Sequence, residues 1–302
     1  MAMIPYDDRD GQIWFDGKLV PWREAKVHFL THALHYGSGV FEGVRCYGGN
    51  IFKLNEHSQR LLEGCKIMDM KITYTLEQIN QACIEAVKAN KLTDCYLRPL
   101  AWRGPEQMGV AAQQTKIHLA VAAWEWPSYF SPEMREKGIS VMTSRWRRPA
   151  PDMAPVTAKA CGLYMICTLS KHEADKAGYT DAIMNDYRGY VAELTGANLF
   201  MVKNGELHTP HVDCILNGIT RLTVIDLARS LGYKVTERHI KPEELKEGDE
   251  FFATGTAAEV TAIGKINDKT YAVGPVTRRI RDEYEKLVRL PPTEMQRKMA
   301  AR

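Results

Sequence analysis

Apolar residues recur along the chain in two rhythms, one of period two and one near 3.6, and each marks a kind of element. Ile13, Trp14 and Phe15, then Leu19 and Val20, flank Asp16-Gly17, the pattern of a two-residue β-hairpin. Residues 27–36 have the spacing of a short helix stopped by Gly37. Residues 40–47 read as one strand, turned back by Gly48-Gly49-Asn50 into a second at 51–54. Asn55 is a candidate N-cap for a helix carrying His57, Arg60, Leu61, Leu62 and Ile67. Thr75 and Gln78 have capping-box spacing and open a helix to about Asn90. Strands follow at 94–102 and 116–124, and Pro99 places the first near an edge or a bulge.

The periodicity lapses over residues 125–138, which hold two prolines and read as a linker. It divides a small N-terminal domain, 1–124, from a larger C-terminal one, 139–302. In the latter, strands are expected at 139–144, 181–186, 250–254 and 259–264. A hairpin turns at Asn204-Gly205, and helices are expected over 159–177, 219–231 and 276–290. Hairpins and helices mix without a βαβ rhythm or an internal repeat, so the class is α+β.

Composition narrows the function. With 302 residues, 45% hydrophobic and 25% charged, the chain has ample core for a globular protein. A net charge of +3 gives no basis for a nucleic-acid partner. The one basic cluster, Arg145-Trp146-Arg147-Arg148, sits beside Pro149 and reads as a loop or a solvated strand end. The N-terminus has no signal-peptide pattern and no apolar run is long enough to span a bilayer, so no membrane association is expected. Seven cysteines, an odd number with no CxxC spacing, suit reduced thiols in the cytoplasm. His28, His32 and His35 fall on one face if 27–36 is helical, but no HExxH or cysteine pair accompanies them, so no metal is expected. Dinucleotide, P-loop and α/β-hydrolase fingerprints are absent.

Candidate chemistry centres on Lys159, between Ala158 and Ala160. An ammonium among small apolar groups is poorly solvated, so its pKa falls and a nucleophilic amine becomes available. Two stretches suit an anion. Gly218 leads into a helix whose first amides, at Ile219 and Thr220, point off its N-terminus. Gly255 and Thr256, with Ala257 and Ala258, follow a strand and allow close backbone approach to a ligand. Arg60 is a candidate phosphate ligand, and Glu193 a carboxylate among apolar neighbours. Each has a plain alternative: a surface lysine, an ordinary cap, a tight turn, a snorkelling arginine, a strand-face charge. Together they suit pyridoxal 5'-phosphate, which needs a lysine for its aldehyde (Lys159), a cradle for its phosphate (Arg60, Ile219, Thr220, Thr256) and an acid beside its ring nitrogen (Glu193).

The run 34–47 (Leu-His-Tyr-Gly-Ser-Gly-Val-Phe-Glu-Gly-Val-Arg-Cys-Tyr) opens a longer set of motifs. It continues with Tyr96-Leu97-Arg98-Pro99, Met108-Gly109-Val110, Lys159 with Tyr164, and Glu193 with residues 195–200. Residues 217–221 and 255–259 complete it. In this order the set resembles the class IV aminotransferases, and within them the branched-chain amino acid branch. The resemblance implies fold type IV: a small α/β domain, a larger domain on a β-barrel-like core, and the cofactor between them. It implies transamination between L-leucine, L-isoleucine or L-valine and 2-oxoglutarate, giving branched 2-oxo acids and L-glutamate. Other fold type IV enzymes, an amine or D-amino-acid transaminase or an aminodeoxychorismate lyase, are the alternative.

By the same resemblance Lys159 is the cofactor lysine and proton carrier, and Tyr164 bonds the ring oxygen. Tyr96 with the amides of Thr256 and Ala257 takes the α-carboxylate. Arg98 takes the second carboxylate of glutamate, and Tyr36, Phe41, Tyr164, Trp126, Tyr129 and Ala258 wall the pocket. Met108 belongs with the loop after residues 103–107, which touches substrate in the family, and Tyr36 and Val110 lie near a neighbouring subunit's site in a homodimer or homohexamer. Leu194 and Ala197 replace a glycine and an acid of the family pattern, and residues 103–107 also depart from it.

Overall fold

A computed structural model describes residues 4–126 and 132–291. The chain divides into two compact units, Met1–Pro127 with Ala158–Gly162, and Ser128–Thr157 with Leu163–Arg302.

The first unit is built on a seven-stranded sheet. Its strands are β1 (Gln12–Phe15), β2 (Lys18–Pro21), β3 (Gly39–Phe41), β4 (Val44–Tyr47), β5 (Asn50–Ile51), β6 (Cys95–Arg103) and β7 (Ile117–Glu125). They run in the order β2-β1-β7-β6-β4-β5, with β3 also paired to β6. Helices α1 (His32–Tyr36), α2 (Leu54–Ile67) and α3 (Leu76–Ala89) complete it. Trp14, Val44, Cys46, Leu97, Ala101 and Val121 from the sheet pack with Leu61, Cys65, Ile79 and Cys83 from α2 and α3. The hairpin turn is as expected, with Asp16 at φ 47 and Gly17 at φ 93. The Thr75 capping box forms in both directions.

Four local expectations need correction. The helix expected at 27–36 begins only at His32. The strand expected at 40–47 is broken at Glu42-Gly43 into β3 and β4. The cap of α2 is Lys53, left-handed at φ 50, so the strand expected at 51–54 is cut short and Asn55 lies inside the helix. Pro99 is not at an edge: it pairs with Val121 in the middle of the sheet. Its carbonyl accepts from Glu42 N–H at 2.8 Å, so the side from which its own N–H is missing faces the β3–β4 break. A central proline is tolerated because the neighbouring chain is interrupted there, and the interruption carries Glu42.

In the second unit the strands are β8 (Ile139–Arg148), β9 (Asp181–Asp186), β10 (Val191–Leu194), β11 (Asn198–Lys203), β12 (Glu206–Pro210), β13 (Val235–Arg238), β14 (Glu250–Gly255), β15 (Glu259–Ile266) and β16 (Lys269–Thr270). Six of them, β10-β9-β8-β15-β14-β11, close on themselves because β10 pairs back to β11. Each contributes to one apolar core, through Val141, Ile183, Leu194, Leu199, Phe251 and Ile263 among others. Leu194 and Ala197, the two departures from the family pattern, are buried in that core. Around the ring lie α4 (Pro132–Lys137), α5 (Tyr164–Lys176), α6 (Ile219–Ser230) and α7 (Pro275–Val288).

Here too the reading of the sequence is adjusted. Residues 132–137, within the expected linker, are helical. The helix expected from Lys159 starts at Tyr164, after a 3-10 turn at Cys161–Leu163. β8 continues through the basic cluster, and Arg148 is 4% exposed rather than solvated. No helix among the described residues is long and apolar enough to cross a membrane.

Candidate active site

In the first unit, strand alternation turns Tyr96, Arg98, Leu100 and Trp102 of β6 away from α2 and α3. Lys159 joins this unit through its backbone. Phe41 N–H donates to Lys159 O at 3.1 Å, and Ala160 bridges Val40. Lys159 Nζ stands 4.8 Å from the Phe41 ring centroid, and the Arg98 guanidinium lies 4.8 Å from the same centroid. Arg98 Nη2 donates to the Tyr96 hydroxyl at 3.3 Å, while Arg98 Nε is buried with no hydrogen-bond partner. Tyr96 packs on Trp126 with centroids 4.9 Å apart. Glycine is required at Gly43, where an added Cβ would lie 1.9 Å from the Tyr96 hydroxyl. A cavity of about 360 Å³ on this unit is walled by Ile13, Phe15, Leu34, Leu100 and Trp102, with Arg98 at its side.

The Lys159 pKa is pushed down, chiefly by loss of water around the amine. The Glu42 carboxylate opposes the shift, and the Arg60 charge adds to it. Glu42 itself is 1% exposed. Arg60 grips it with Nε and Nη2 at 2.7 and 2.9 Å, and His57 Nδ1 donates to it at 2.7 Å. Burial works against the Glu42 charge, but Arg60 and His57 outweigh it and hold the pKa down at about 2. Burial also lowers the His57 pKa, so the ring is held neutral with its proton on Nδ1.

These shifts set an acid-stability profile. The folded chain resists protonating His57, so stability falls as pH drops below the ordinary histidine value of 6.5. The depressed Glu42 pKa contributes stability that is complete above the unfolded value of 4.5 and lost as pH falls to about 2. That second contribution is on the order of 3 kcal/mol. Thermal denaturation from pH 7 to pH 2 is expected to show both losses. Glu42→Gln should remove the lower one, and an unchanged slope below pH 4.5 in that variant would refute the assignment.

The three histidines do not form a joint site. His28 lies before α1, where its Nδ1 accepts Leu30 N–H at 3.1 Å. His35 Nε2 donates to Phe29 O at 3.1 Å. His32 Nε2 donates to Gly109 O at 3.0 Å and its Nδ1 meets Ser38 Oγ at 2.6 Å. His32 thereby ties α1, which carries Tyr36, to the loop carrying Met108 and Val110. Tyr36, Met108 and Val110 are all exposed. Tyr129 lies outside the described residues.

In the second unit Glu193 is buried on β10. Arg148 Nε reaches its Oε1 at 3.2 Å and also donates to Cys214 O at 3.1 Å. Asn198 Nδ2 donates to Glu193 Oε2 at 3.2 Å and to Leu216 O at 2.9 Å. Asn198 thus joins the carboxylate to the turn that enters α6. Gly218 is the N-cap of that helix and has no side-chain cap. A Cβ on Gly218 would fall 2.1 Å from Asn198 Oδ1, so only glycine brings the helix start this close. No acidic residue stands in the first turn, and Ile219 and Thr220 are buried there. Gly255, Thr256, Ala257 and Ala258 form the β14–β15 connection, half-buried, with Thr261 Oγ1 donating to Ala258 O at 2.5 Å. Tyr164 is half-buried at the start of α5.

Reading the sequence missed Glu42, His57, Arg148 and Asn198. Glu42 and Asn198 lie inside the quoted motifs, but nothing in local spacing links them to partners distant in sequence. Arg148 was hidden by its basic neighbours.

Residues 39–266 match the family profile of amino-transferase class IV. The chain is 44% identical over 288 residues to the branched-chain-amino-acid aminotransferase of Pseudomonas aeruginosa, covering 93% of this chain and 94% of that protein. It is 41% identical over 283 residues to the enzyme of that name from Escherichia coli, covering 90% and 91%. A solved branched-chain amino acid aminotransferase with pyridoxamine 5'-phosphate superposes with a TM-score of 0.91 at 40% identity, covering 95% of this chain and 97% of that one. The branched-chain aminotransferase of the archaeon Thermoproteus uzoniensis, solved with norvaline, superposes with a TM-score of 0.90 at 38% identity, again covering 95% and 97%.

Proposed function

This chain belongs to the class IV aminotransferases, and on that footing we propose that it moves the amino group between L-branched-chain amino acids and 2-oxoglutarate, with pyridoxal 5'-phosphate as cofactor. The observation that carries the reading is a buried lysine, Lys159, set against Phe41, whose pKa is pushed down chiefly by loss of water around the amine. When bound, the cofactor supplies a carbonyl carbon for the amino group and a ring that holds the electrons left when the Cα–H bond breaks. Lys159 would anchor the cofactor through Nζ and, when the substrate amine takes its place, would accept the proton from the substrate Cα.

The remaining roles follow from side-chain chemistry. Glu193, oriented by Arg148 and Asn198, would pair with the ring nitrogen, and Tyr164 would bond the ring oxygen. Arg60, Thr220 and Thr256 with the amides at Ile219 hold the phosphate, and Gly218 and Gly255 keep side chains out of its way. The uncapped, acid-free start of α6 supports this assignment. Tyr96 with the amides of Thr256 and Ala257 takes the α-carboxylate. Phe41, Trp126 and Ala258 provide apolar walls, joined by Tyr36, Met108 and Val110 at a subunit boundary. The exposure of Leu34 (63%) and Val110 (81%) supports a homodimer or homohexamer. Seven cysteines, none in a disulfide, support a cytoplasmic location.

Glutamate formation from L-leucine and 2-oxoglutarate tests the reading directly, and turnover of D-alanine or a chiral amine without it would replace the reading. Arg98 is the discriminating residue, because a guanidinium beside apolar walls suits the second carboxylate of glutamate. Arg98→Leu is expected to lower kcat/KM for glutamate about 100-fold and for leucine only about threefold. Equal losses for the two donors would refute the dual role.

A further inference from the structure

Glu42 touches neither cofactor nor substrate in the roles above and acts on Lys159 only through its charge, yet among the described residues of the first unit it is a buried carboxylate with an unusually full set of partners. At 1% exposure it accepts Arg60 through both oxygens, at 2.7 and 2.9 Å, and His57 at 2.7 Å. Gly43 N–H also points to it at 3.3 Å. Its place is specified by backbone: Glu42 sits in the β3–β4 break, with its N–H on Pro99 O. Arg60 and His57 stand three residues apart on α2, so one face of the helix presents both to the same carboxylate.

We propose that Glu42 is a positioning residue that, clamped by His57, holds the Arg60 guanidinium in one orientation for the phosphate of the cofactor. A long arginine loses much of its rotamer freedom on binding an anion. A fork-to-fork pair with a buried carboxylate removes that freedom beforehand through the Nε and Nη2 edge. His57 leaves the carboxylate no freedom to follow Arg60 elsewhere. The inference rests on the assignment of Arg60 to the phosphate. It adds that Arg60 works only while Glu42 and His57 hold it.

The test compares two ligands on the full-length protein freed of cofactor, by titration of visible absorbance: pyridoxal 5'-phosphate, and pyridoxal, which has the same ring and aldehyde but no phosphate. Glu42→Gln is expected to weaken pyridoxal phosphate about tenfold and leave pyridoxal within about twofold. In an Arg60→Ala background the same change should have no further effect on the ratio, since Glu42 acts through Arg60. Equal weakening of both ligands, an unchanged ratio, or a full effect in the Arg60→Ala background would each overturn the proposal. If Glu42→Gln does not fold, His57→Gln loosens the clamp without touching Arg60. A selective loss of about threefold is then expected, and no selective loss overturns the proposal. Failure of the underlying reading looks different: the unaltered protein would bind neither ligand.

Discussion

Lys159→Ala is expected to lower transamination by at least about 10⁴-fold, because the proposed roles of that one side chain are both to anchor the cofactor and to move the Cα proton. Borohydride treatment of the unaltered protein should fix the cofactor to the peptide containing Lys159. The variant should release it on denaturation after the same treatment. Folding is not expected to suffer. Burial holds the Lys159 pKa below 10.5, so charging it costs the folded protein stability, a cost that builds as pH falls below 10.5 and is complete below the folded value. Removing the amine relieves the cost, and the melting temperature of the variant should match or exceed that of the parent near neutral pH. Turnover above about 1% of the parent, or a borohydride-fixed adduct on another lysine, would remove Lys159 from the mechanism.

The second large effect is expected at Glu193. Glu193→Gln keeps the shape but removes the charge, and activity should fall about 10²- to 10³-fold with the loss of a preorganised charge at the ring nitrogen. It also leaves Arg148, 4% exposed, without its buried counter-charge. The expected penalty is about 3 kcal/mol, read as a lower melting temperature. Adding Arg148→Met to the same protein should recover much of that stability and none of the activity. If activity returns together with stability, Glu193 serves the fold and not the ring nitrogen.

Both variants touch residues that the sequence singled out, and the legibility has a physical basis. Lys159 announces itself through small apolar neighbours, and Gly218 through its place before an amphipathic helix. The Asp16-Gly17 hairpin, the Thr75 box and strand β9 were readable for the same reason, since turns, caps and alternation act over a few residues. Where distant chain decides, local rules failed. Pro99 looked like an edge residue until the β3–β4 break was seen to face its missing N–H. Arg148 looked solvated until β8 carried it to Glu193 and Cys214.

By itself, then, the sequence determined the α+β class, most elements and the separate candidates for amine, carboxylate and anion cradle. These depend on period, propensity and side-chain chemistry. Only tertiary structure decided how each was charged and oriented. The Lys159 pKa is lowered chiefly by the water excluded around it, with Glu42, Arg60 and Arg98 setting the local field. Glu42 keeps its charge because α2 brings Arg60 and His57 onto it, and Glu193 is oriented by Arg148 and Asn198. Hydrogen bonds and desolvation are set by neighbours in space, and in this chain Arg148 and Glu193 stand 45 positions apart in sequence.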